Sequence, residues 1–63
     1  MKIKRNETYG AFLLRIRETA KITQEELELR LGVSELFVWA WEYGRNPSLA
    51  SKRAIDEFAK KLK

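Results

Sequence analysis

A chain of 63 residues with formal charge +4 and pI near 9.7 allows one small domain, and its basic balance favours an anionic partner such as nucleic acid. Without Cys or His it has no disulfides, no thiolate or imidazole metal ligands and none of the usual nucleophile and base pairs, so no catalysis, metal or cofactor is expected. No apolar run approaches the ~20 residues that span a bilayer, and the start, MKIKRNETYG, lacks the apolar middle of a secretion signal, so a cytoplasmic protein without a membrane partner is expected.

Residues 1–7 carry Lys2, Lys4 and Arg5 with no capping signal and read as a flexible basic arm ahead of one domain over 8–63. From about Thr8 to Ala20, the residues Tyr9, Leu13, Ile16 and Ala20 fall along one face, which predicts a first helix. Thr23 can accept from a free backbone N–H of the next turn while Glu26 reaches back, a capping box that starts a second helix. Leu27 and Leu31 share one face, and Gly32 follows where a chain leaving a helix favours a left-handed conformation. Ser34 is the N-cap expected for a third helix, in which Val38 and Trp41 repeat at helical spacing before Gly44 supplies a stop. Arg45, Asn46 and Pro47 form a turn. Ser48 then caps a fourth helix with Ile55, Phe58, Ala59 and Leu62 on its apolar side. The prediction is an all-α domain of four helices with no strand. Its expected core is Leu13, Ile16, Ile22, Leu27, Leu31, Val33, Val38, Trp41, Ile55 and Phe58.

Two short helices hinged at Gly32 over 23–43 fit the helix-turn-helix unit. The stretch ITQEELELRLGVSELFVWAWEYGRNPS resembles the phage-repressor and Cro-like family (XRE-type, lambda repressor-like), in which TQEEL, LGVS, a β-branched residue, WE, G and PS recur at these spacings. Tyr9, Gly10, Leu13, Ile16 and Arg17 match that family's first helix, and PSLASKRAIDEFAKKL resembles the closing helix of its compact four-helix members. The resemblance covers nearly the whole chain. It implies a repressor-like transcriptional regulator, dimeric on a palindromic operator in double-stranded DNA, with helix 3 in the major groove and half-sites about one helical turn apart. By the same resemblance Arg17 and Glu42 form a structural ion pair between helix 1 and the end of helix 3. Thr23, Gln24, Ser34, Arg45 and Asn46 would contact the DNA backbone, and Glu35, Leu36, Trp39 and Ala40 would face the bases.

That base-facing set departs from the family, which commonly carries Gln, Arg, Asn, Ser or Thr there. Glu35 could accept from cytosine N4, and Leu36 or Ala40 could touch a thymine methyl, but Trp39 has no base-edge partner. Phe12, Leu14 and Leu29 stand where the resembling sequences are polar, and Glu28 replaces the small residue that lets helices 2 and 3 approach. An alternative function follows: a protein-interaction module on the same scaffold, antitoxin-like, regulator-binding or self-associating, natural or engineered, using Leu36 and Trp39. The stretch IDEFAKKLK is the one candidate for a membrane-surface helix, and core packing explains its pattern better.

Overall fold

Hydroxyl groups set the starts of three of the four helices. Thr8 opens α1 (Tyr9–Ala20) by accepting the Ala11 N–H at 3.1 Å. Thr23 opens α2 (Gln24–Leu31) through the full capping box: the Glu26 N–H donates to Thr23 Oγ1 and the Thr23 N–H donates to Glu26 Oε1, each at 3.1 Å. Ser48 opens α4 (Leu49–Lys60) by accepting the Ser51 N–H at 3.2 Å. Gly32 ends α2 at φ 71°, the left-handed value that favours glycine. The structure, a computed structural model, describes residues 1–34 and 36–62, and within them the chain is all-helical, with four helices and no strand.

The third helix departs from the sequence reading. The sequence puts its cap at Ser34, whereas α3 (Phe37–Glu42) opens at Leu36, which has φ 74° and no side-chain cap of its own. Glu28 supplies the missing acceptor: its Oε2 lies 2.8 Å from the Leu36 N–H. This carboxylate is only 7% exposed, and a buried carboxylate is costly without donors. Satisfying Glu28 therefore competes with the Ser34 cap, and a left-handed Leu36, which costs about 1–2 kcal/mol, is the local consequence. Glu28 is thus accommodated between α2 and α3 by a shortened third helix.

The core joins Phe12, Leu13 and Ile16 of α1, Leu27 of α2, Val38 and Trp41 of α3, and Ile55 and Ala59 of α4. Phe12 corrects the sequence reading, because it is fully buried where a polar residue was the norm; its ring meets Tyr9 edge-on, with centroids 6.1 Å apart. Ile22, Leu31, Val33 and Phe58 pack around this centre and are only partly buried. The α3 helix packs against α1 and α2, and α2 against α4. At the α1–α3 crossing Gly10 is buried so closely that a Cβ would lie 2.6 Å from the Trp41 carbonyl oxygen. The radius of gyration, 10.3 Å, matches the roughly 10.6 Å of a close-packed chain of this length.

Residues 1–7, read from the sequence as a flexible arm, lie against the domain. The Met1 amino group donates to the Ala59 and Leu62 carbonyls at 3.0 and 3.1 Å, and Met1 and Ile3 pack on the core. Arg15 grips Glu7 with a two-pronged contact at 2.6 and 2.7 Å and donates to the Lys2 carbonyl at 2.8 Å. The side chains of Lys2, Lys4 and Arg5 stay exposed. The Arg15 hydrogen bonds, helped by the Lys4 N–H, outweigh burial and hold the Glu7 carboxyl down at about 2 instead of its ordinary 4.5. A lowered pKa contributes stability above the unfolded value and loses it as pH falls through the folded one. The melting temperature should accordingly drop between pH 4.5 and about 2, with Glu7→Gln removing that part of the slope. Superimposable profiles for wild type and Glu7→Gln would show that the pair adds no stability.

Candidate functional site

The polar centre of the α2–α3 region is a three-residue cluster. Arg17 of α1 donates Nε and Nη2 to the two carboxylate oxygens of Glu42 at 2.7 and 2.9 Å, and Gln24 of α2 donates Nε2 to the same Glu42 at 2.9 Å. The expected structural ion pair is present, with side chains 22% and 8% exposed. One carboxylate at the end of α3 thereby ties together α1, α2 and α3. The hydrogen bonds to Glu42 raise the Arg17 pKa further above an already high value, so this cation stays charged at any working pH.

Gln24 is where the structure adds something the sequence did not offer. Its amide, expected at the DNA backbone, is committed to Glu42, and the Thr23 hydroxyl donates to Glu26 Oε1 at 3.2 Å while capping α2. Glu25 and Glu26 also lie in this first turn, so the dipole-favoured end of α2 already faces two carboxylates. Ser34, Arg45 and Asn46 are exposed, and none of their side chains makes a hydrogen bond to the described residues, which leaves these three open to an external partner.

On α3 the inward face is Val38 and Trp41; Trp39, half-buried Ala40 and the C-cap Tyr43 follow one another at helical spacing on the other side, and exposed Leu36 lies just ahead of the helix at φ 74°. Trp39 and Tyr43 stack with centroids 4.7 Å apart and planes 15° apart, yet stay 47% and 80% exposed. Phe37 flanks this stripe and leans on Trp41 at 5.7 Å. Tyr43 was missed as a site residue, although its spacing of four from Trp39 was a readable signal; Glu28 and Leu36, eight apart and joined by a tertiary contact, gave none. Glu35, read as base-facing, lies outside the described residues. Of the remaining base-facing set, Leu36 and Trp39 are exposed and Ala40 is half-buried, and none offers a hydrogen-bonding group suited to a base edge. The Trp39 indole N–H is its one polar atom.

Elsewhere, a cleft between the N-terminal segment and α4 is lined by Met1, Lys2, Ile3, Arg53, Asp56, Glu57 and Lys60, with mixed charges and no nucleophile beside a base. Among the described residues no cluster of carboxylates could hold a metal ion, and no helix is long and apolar enough to cross a membrane. Comparison of the chain with protein-family models, with curated proteins and with solved structures finds no match.

Proposed function

We propose that the chain is a sequence-specific double-stranded DNA-binding module of the phage-repressor and Cro-like helix-turn-helix type, with a lambda repressor-like arrangement of its four helices. The observation that carries this reading is the unit formed by α2, the Gly32 turn and α3. One face of α3 is pinned inward by Val38, Trp41 and the Arg17–Glu42 fork, while Trp39 on the opposite side is exposed, and a helix is what a major groove admits. The charge of +4 supports an attraction to phosphates, with exposed Arg45 and Asn46 as backbone contacts. Leu36 and Ala40 would read thymine methyl groups.

A salt titration against a pool of random duplexes, followed by sequencing of the retained fraction, tests this. Affinity should fall linearly on a log–log plot against salt, with a palindromic motif enriched. Arg45→Ala should weaken binding to every sequence alike and lower the salt slope by about one. Gln24→Ala should act mainly on stability, because its amide serves Glu42. A slope unchanged by Arg45→Ala would remove Arg45 from the interface, and an affinity unchanged by Asn46→Ala would remove Asn46.

The Trp39–Tyr43 stack favours a second reading, in which the same scaffold is a protein-interaction module. Aromatic anchors on a surface otherwise short of hydrogen-bond donors are the usual currency of protein contacts and not of base readout.

A further inference from the structure

We propose that the outward face of α3 is the docking surface for a second copy of this chain, α3 against α3 about a two-fold axis. The proposal rests on the interaction reading of α3, names its partner, and excludes insertion of this same face into a major groove while the two copies are paired. From Leu36 to Trp41 the chain carries no charged residue, and the carboxylate that follows, Glu42, is occupied by Arg17 and Gln24. Residues 36–41 therefore bring no charge of their own to a two-fold pairing, even though each copy carries +4. Charge depletion with aromatic enrichment is what the middle of a protein interface requires. Self-complementarity is what a two-fold axis requires, since the same residues meet from both sides. A stripe of Leu36, Trp39, Ala40 and Tyr43 provides it: flat apolar side chains have no directional partner to match.

The area is sufficient for a weak dimer and no more. Leu36, Phe37, Trp39 and Tyr43 are exposed by 62, 47, 47 and 80%. With aromatic side chains of about 150–250 Å² each, the stripe together with the flanking Phe37 offers on the order of 500 Å² per copy. Two copies then bury about 1,000 Å², the lower bound for a specific interface, so association should depend on concentration. Leu49, 67% exposed at the start of α4, belongs to a different helix and provides the control.

Salt separates this contact from nucleic-acid binding by its sign. Screening weakens repulsion between two copies of like charge and, with a sulfate salt, exclusion from the surface also favours apolar burial, whereas salt weakens attachment to phosphates. Sedimentation of the DNA-free protein over about 1–500 μM, a range suited to an interface of this size, should show a monomer becoming a dimer. The dimer fraction should be larger in high salt than in low. Trp39→Ala and Tyr43→Ser should each weaken association at least about tenfold, with Leu49→Ser leaving it unchanged. Tyr43 is exposed enough that its variant keeps the fold should Trp39→Ala lose it. A monomer at every concentration, or a dimer that survives Tyr43→Ser, overturns the proposal. Loss of duplex binding in the separate DNA titration would instead overturn the DNA-reading proposal and leave this one standing.

Discussion

Gly10→Ala should lower stability by about 2 kcal/mol, a shift of roughly 10 °C in melting temperature for a domain of this size. The sign is the informative part. In an open helix position the same change gains up to about 1 kcal/mol, because alanine is the better helix former. Here the new methyl would sit 2.6 Å from the Trp41 carbonyl oxygen and 3.2 Å from Glu42 Cα and O, all backbone atoms that cannot swing aside. To admit it, α1 and α3 must separate, which loosens the Arg17–Glu42 fork and the Val38 and Trp41 packing behind the exposed face. Ala11→Gly, one residue on and exposed, is the control and should cost no more than about 1 kcal/mol. Chemical denaturation of the two variants checks this: a Gly10→Ala protein as stable as wild type would mean that the two helices do not meet at that distance.

What could be read from the chain was local in origin. The Thr23 and Ser48 caps, the Gly32 stop and the Leu13, Ile16, Leu27 and Ile55 positions depend on partners within one or two turns, so spacing alone reveals them. The rest depends on residues brought together by the fold. Phe12 is buried because α1 is covered on a wider arc than its apolar stripe suggests. The Ser34 cap yields to a contact between Glu28 and Leu36 that exists only once α2 and α3 have packed. Arg15 and Glu7, likewise eight apart, tie down a segment whose own composition gives no helix or strand. At the site, the Arg17–Glu42 pair came from resemblance, while the participation of Gln24 needed the packed helices to be seen.

Replacing Glu42 with alanine should be the most damaging single polar change in the molecule, costing about 2–3 kcal/mol. The full 3–5 kcal/mol typical of a broken buried pair is reduced because the Arg17 side chain keeps 22% of its surface in water. A chain of this length has only about 3–9 kcal/mol in total, so the loss removes between a quarter and nearly all of its stability. Arg17→Lys should cost less but more than a surface exchange, since an ammonium cannot engage both oxygens of Glu42 at once. Arg17→Met combined with Glu42→Leu should recover most of the loss, because two apolar side chains leave no unpaired charge behind. The amide of Gln24 would then have to turn to solvent, which sets the residual deficit. A double variant that melts near wild type and binds duplex DNA with an unchanged salt slope fixes the role of the pair as holding α1 and α3 together. A slope reduced by about one would instead show that Arg17 shares a guanidinium N–H with a phosphate while it holds Glu42.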